Sequence, residues 1–310
     1  MRPRVQQSPM TIGSTSDHCR CAAIRRLPWA FVAILATALA ISTAVRADAS
    51  APEAGVLRAT LGNGLRVVIV RNDLAPVVSV EVNYLAGSDE APDGFPGMAH
   101  AQEHMMFRGS PGLTGDQLAY LNAVLGGMAN AATQQSVTQY SNTVPARDLE
   151  LALRIESIRM RGVSDTQDAW TRERGAIEQE VARDLSEPEY VLYTRLLAAL
   201  FEGTPYAHDA LGTRASFDQT TGAMLKAYYD RCYAPNNAIL VIAGDVQPKV
   251  VLGQVKALFG DIPAKKIAAR PEIRLAKLHR GPSGAKRTRA TVWSWRPSAC
   301  PAPTARTMRP

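Results

Sequence analysis

His100, Glu103 and His104 lie within one short stretch, GMAHAQEHMMFRG, residues 97–109. On a helix each residue advances ~100°, so the two imidazoles fall ~40° apart and one turn along, and both can face one ion. Glu103 falls ~60° to the other side of His100, still on that face. Imidazole nitrogens suit zinc, and a catalytic zinc site takes three protein ligands and leaves one position for water. Zinc acidifies that water, and a nearby carboxylate that does not bind the metal can carry its proton to a leaving amine. The order H-x-x-E-H inverts H-E-x-x-H and is a zinc peptidase signature. The plainer alternative is a solvated polar face of a helix.

A third ligand has to come from elsewhere. The segment TRERGAIEQEVARDLSEPE, residues 171–189, offers Glu173, Glu178, Glu180, Glu187 and Glu189. On a helix Glu173 and Glu180 share a face to within ~20°, whereas Glu178 is ~200° from Glu180 and points away. One face can therefore supply both a ligand and a supporting carboxylate. Helical spacing does not say which of the two binds metal.

The flanking pattern shows what must hold these residues. Leu57–Thr60, the turn Gly62-Asn63-Gly64 and Leu65–Val70 read as a hairpin, with Asn-Gly suited to a type I′ turn. Val77–Leu85 alternates as a third strand. A helix is expected over 97–108, stopped by Gly109, and a short one over 117–125. Strands follow at 128–133 and 137–144, then helices at 148–161, 167–185, 190–201 and 218–231. A buried strand at 238–243 and a closing helix at 248–259 complete the pattern. Strands in hairpins with helices between them predict an α+β fold, a mostly antiparallel sheet packed against helices.

Composition excludes some partners. The net charge of +7 resides in the tail: from Arg280 onward there are seven Lys/Arg and no Asp or Glu. The body is near neutral, which gives no basic face for nucleic acid. Arg25-Arg26, the apolar run Trp29–Val45 and Ala47-Asp48-Ala49 read as a secretory signal, placing 1–49 in a removable leader. Contact with a membrane is expected only if that segment stays uncleaved as an anchor. Cys19 and Cys21 fall in the leader, leaving Cys232 and Cys300 with no disulfide framework. Export without disulfides points to a periplasmic or secreted protein stabilised by its core. Residues 50–268 are expected to form one folded domain. Residues 269–310, rich in Arg, Pro, Ala and Thr and lacking periodicity, are expected to be disordered or out of frame.

GMAHAQEHMMFRG followed by ERGAIEQE resembles the insulinase/pitrilysin family of zinc peptidases, the inverzincins. GSDEAPDGFPGMAH, GGMANAAT and YAPNNAILVIAGDV extend the resemblance over about Leu57 to Ala268, the family's N-terminal catalytic domain. The resemblance implies zinc as cofactor, His100, His104 and Glu180 as its ligands, Glu103 as general base and Glu173 as support. It also implies that a peptide or unfolded protein substrate adds as an extra strand along Asn130-Ala131-Ala132-Thr133, with Asn130 and Ala131 in contact. Ala101 departs from the bulky apolar residue, often Phe, that usually follows the first histidine. The family closes a second, similar domain over the first. The expected function is zinc-dependent hydrolysis of peptide bonds by one half of a two-domain enzyme. The alternative is a non-catalytic peptide-binding or partner domain that acts only with a separate chain. His208 reads as a structural or solvated loop residue, and Met98, Met105, Met106 and Phe107 as core.

Overall fold

The computed structural model describes residues 55–270 together with Ile273 and Leu275. The signal segment and nearly all of the tail lie outside the described residues. Eight strands and eight α-helices are present among the described residues, with four short 3-10 turns.

The strands are β1 (Val56–Thr60), β2 (Arg66–Arg71), β3 (Val77–Tyr84), β4 (Gly109–Ser110), β5 (Leu113–Thr114), β6 (Met128–Thr133), β7 (Thr138–Pro145) and β8 (Ala238–Gly244). Six of them form one sheet in the order β1-β2-β8-β3-β7-β6. Every neighbouring pair is antiparallel except β2 and β8, which run parallel. The hairpins β1-β2 and β6-β7 follow the sequence pattern. The third strand does not continue from the second, because β8 returns from the far end of the chain to lie between β2 and β3. In β3 every second residue is buried, from Val78 through Val80 and Val82 to Tyr84. Burying each such valine stabilises the fold by about 1.5–3 kcal/mol, and the alternation fixes which face meets the core.

The first hairpin turns differently from the type I′ expectation. Gly64 N donates to Leu61 O and Leu61 N donates to Leu65 O, closing a three-residue loop. Gly64 takes the left-handed conformation at φ 87°, and Gly62 does not. Asn63 is occupied elsewhere: its Nδ2 donates to Phe259 O and Ile262 O, tying the loop to the end of the closing helix.

The helices are α1 (Met98–Met105), α2 (Gly115–Leu125), α3 (Leu149–Arg161), α4 (Gln167–Leu185), α5 (Pro188–Leu200), α6 (Arg214–Gln219), α7 (Gly222–Cys232) and α8 (Pro248–Phe259). α1 stops at Met105, three residues before the expected end. Phe107 N and Arg108 N each reach back three residues, to His104 O and Met105 O, tightening the last turn. Gly109 then begins the small β4-β5 hairpin at φ 123°, a feature the sequence reading did not contain. The single helix expected over 218–231 is two. Thr220 and Thr221 separate α6 from α7, and Thr221 Oγ1 accepts from Met224 N as the cap of the second.

α1 packs against α4, α7 and β6. Met98, Met105 and Met106 are buried in the core, as expected for that cluster, and Phe107 is partly buried against it. Trp170, buried on α4, donates from Nε1 to Thr220 O at 2.7 Å and so fixes α4 to the α6–α7 junction. These contacts set the two helices that carry the histidines and the glutamates side by side.

Candidate active site

α1 starts at Gly97, whose φ of 89° turns the chain sharply into the helix. Seven of the eight residues of α1 are buried, including His100 and Glu103. His100 and His104 follow each other along one face, with ring centroids 4.8 Å apart and planes at 87°. From α4, Glu180 reaches the same point. Its Oε1 lies 3.8 Å from His100 Nε2 and its Oε2 lies 3.6 Å from His104 Nε2. One donor atom from each of His100, His104 and Glu180 falls within 4.8 Å of the other two.

The surroundings of each ring free the same nitrogen. His100 Nδ1 donates to Leu211 O at 3.3 Å. His104 Nδ1 donates to Glu173 Oε1 at 2.8 Å. Both Nε2 atoms are thereby left as acceptors facing Glu180. Tetrahedral zinc with ligand bonds of about 2.0–2.2 Å separates its ligand atoms by about 3.4 Å. The observed separations of 3.6 and 3.8 Å, to different oxygens of Glu180, are longer than hydrogen bonds and close to that spacing, and the three donors lie within 4.8 Å of one another. The donor set and its spacing therefore fit a zinc ion.

Glu173 and Glu180, equivalent by helical spacing, are divided by their surroundings. Glu173 is buried and already committed, one oxygen to His104 and the other to Arg108. Glu180 is about one-third exposed and opens onto the cleft. Burial opposes charge on both His104 and Glu173. Their mutual hydrogen bond overrides it, raising the His104 pKa with help from the Glu173, Glu103 and Glu180 charges. The same bond, with Arg108, holds Glu173 below its ordinary value. Glu178 points away, paired with Arg174 and Arg214.

Glu103 accepts a hydrogen bond at Oε2 from Thr133 Oγ1 on β6. It faces a cleft of about 380 Å³ shared with His100, Glu180, Ala131, Thr133 and Tyr190, among others. β6 is the end strand of the sheet. Gln134 N donates to Val137 O, and in an antiparallel ladder such hydrogen-bonded pairs alternate. By the register of the hairpin, Asn130 and Ala132 spend their backbone groups on Ser141 and Gln139. Ala131 and Thr133 turn theirs to the open edge. Ala131 therefore carries the free backbone groups there, and the Asn130 side chain lies on the opposite, exposed face.

Thr133, Arg108 and the Leu211 carbonyl were not singled out from sequence. Thr133 had a signal, as the last residue of the Asn130–Thr133 strand. A backbone carbonyl has none. His208 is not in the three-residue donor group and donates from Nδ1 to Asp209 O. Ala101 is fully buried beneath the helix.

Residues 66–214 match the insulinase model, peptidase family M16, and residues 220–292 match the model of the M16 inactive domain. An uncharacterized zinc protease of Mycobacterium leprae is 30% identical over 76% of this chain and 53% of its own length. Zinc protease PqqE of Helicobacter pylori is 28% identical over 64% of this chain and 46% of its own. Among solved structures, a protease from Helicobacter pylori superposes with a TM-score of 0.67 at 26% identity, covering 73% of this chain and 54% of that one. The histidine pair and glutamate, on a sheet-backed helix pair, form a group able to hold a metal ion. The chain belongs to the insulinase family, peptidase family M16. It spans about half the length of the curated relatives it matches. The second match begins at residue 220, yet β8 sits between β2 and β3, so that boundary does not divide the sheet.

Proposed function

We propose that the chain is a zinc-dependent peptidase domain in which His100, His104 and Glu180 hold the metal and Glu103 moves the proton. The observation that carries this reading is the pair of Nε2 atoms facing the Glu180 carboxylate at 3.8 and 3.6 Å, with the three donors within 4.8 Å of one another. When bound, zinc polarises the scissile carbonyl and acidifies water. Thr133 fixes Glu103 Oε2, which leaves Oε1 to take a proton from the attacking water and return it to the leaving amine. Proton transfer of this kind contributes about 10²–10⁴-fold to rate. Glu173 holds His104 in the tautomer that presents Nε2, the supporting role of a second carboxylate behind a metal-binding ring.

The substrate is a peptide or an unfolded protein segment. It lies along β6 as an added strand, taking up the backbone groups of Ala131 and Thr133, with Asn130 at the outer face. The proposed domain spans residues 50–268, of which 55–268 are described, and a second peptidase-like domain or chain closes over this face. The described residues contain no helix long and apolar enough to cross a membrane. Export to the periplasm rests on Arg25-Arg26 and the apolar run 29–45.

Metal analysis with a peptide cleavage assay tests the reading. One zinc per chain, with cleavage lost in Glu103→Gln and zinc retained, is the expected result. Zinc bound without cleavage of any unfolded peptide would instead indicate a binding or partner domain.

A further inference from the structure

The orientation of His100 depends on Leu211, a residue outside both helices of the site. A carbonyl can fix a ring only if the carbonyl is itself held. The loop over residues 208–213 is held on two sides. On one, Gly212 at φ 85° lies against Gly97 at φ 89°, the residue that starts α1. A Cβ on either glycine would come within 2.6 Å of the other's Cα. On the other side stands Asp209. Its Oδ1 accepts from Leu211 N at 3.2 Å, and its Oδ2 accepts from the Tyr190 hydroxyl at 2.6 Å. The chain of contacts thus runs from Tyr190 on α5 through Asp209 and Leu211 to His100 Nδ1.

We propose that Asp209, anchored by the Tyr190 hydroxyl, is a positioning residue for His100. By holding the Leu211 carbonyl in place, it keeps the proton on Nδ1 and leaves the Nε2 lone pair free. Which ring nitrogen carries the proton is set by the hydrogen bond the other makes, and loss of such outer support costs about 10–100-fold in metal affinity. Both groups also line the cleft. α5 contributes no buried residue to the fold, so the Tyr190–Asp209 bond couples an exposed helix to a buried imidazole. The inference rests on the reading of His100 as a metal ligand, and its test includes a readout taken without metal.

The full chain and three variants, Asp209→Ala, Asp209→Asn and Tyr190→Phe, would be compared in two measurements. The first is the tautomer of His100 by ¹⁵N NMR in metal-free protein. The second is zinc affinity by competition with a chromophoric chelator. The parent should show the Nδ1–H form. Asp209→Ala should shift His100 toward the Nε2–H form and weaken zinc binding about 10–100-fold. Asp209→Asn keeps an acceptor for Leu211 N and should recover most of the loss. Tyr190→Phe should fall between the parent and Asp209→Ala. An Asp209→Ala chain that melts like the parent, keeps the Nδ1–H form and binds zinc equally well would overturn the proposal. If that variant does not fold, unchanged tautomer and affinity in Tyr190→Phe would overturn it instead. A parent chain that binds no zinc would remove the metal reading of the site, and the metal-free tautomer would still decide for or against Asp209.

Discussion

α1 and the α4–α5 pair supply opposite walls of the same site and are embedded very differently. α1 is buried along nearly its whole length, with Gln102 beneath it at no exposure. α4 is anchored by Trp170, Glu173, Ile177 and Val181, but Glu180 projects beyond that buried stripe. α5 buries no residue and leaves Leu192, Tyr193 and Leu196 exposed. The histidine wall is therefore pre-organised by the core, and the glutamate wall grows softer toward the cleft. On the proposed reading, two ligands come from the buried wall and the third from the more exposed one. Local stability in proteins varies in this manner, low where buried contacts are few.

Perturbations of the two walls should differ in size and kind. The largest effect is expected from Glu103→Gln, which should lower peptide cleavage by about 10²–10⁴-fold. Zinc content by metal analysis should be unchanged, because Glu103 is not a proposed ligand. Glu173→Gln should weaken zinc about 10–100-fold through His104, read by chelator competition. Gly97→Ala strikes the rigid wall where left-handed backbone meets the Gly212 Cα. It should cost at least ~2 kcal/mol of stability by denaturant unfolding.

A smaller effect concerns pH. Burial pushes the Asp165 carboxyl, beside Gln102, up to about 7. Between about pH 4 and 7 the folded chain then keeps a proton that the unfolded chain has released. Its contribution to stability therefore falls as pH rises through that window. Asp165→Asn should flatten that part of the melting-temperature profile. The smallest effect is expected from Leu196→Ser on the exposed face of α5, within about 0.5 kcal/mol. A loss comparable to Gly97→Ala would show that α5 is not the soft wall.

The same contrast decides what could be read from sequence. α4 and α8 agree with the expected bounds to the residue, because long amphipathic repeats with polar flanks define their own ends. The position of β8 between β2 and β3 was not legible. Strand order is set by packing between residues far apart in the chain, and AILVIA suits any buried slot. The early end of α1 was missed because Gly109 carries the obvious stop signal, while the backbone had already tightened at Met105. Within the site, the types and spacing of His100, Glu103 and His104 identified the face. Helical spacing reduced the glutamates to Glu173 and Glu180. Their different surroundings, Glu173 buried against Arg108 and Glu180 facing the cleft, were not visible in the spacing. The Leu211 carbonyl and its Asp209 support have no side-chain pattern that would announce them.

Zinc-edge anomalous diffraction from the zinc-loaded chain tests the central claim most directly. The account predicts one peak, about 2.0–2.2 Å from Nε2 of His100, Nε2 of His104 and one carboxylate oxygen of Glu180. A peak coordinated by Glu173 in place of Glu180, or no peak between the two imidazoles, would contradict it.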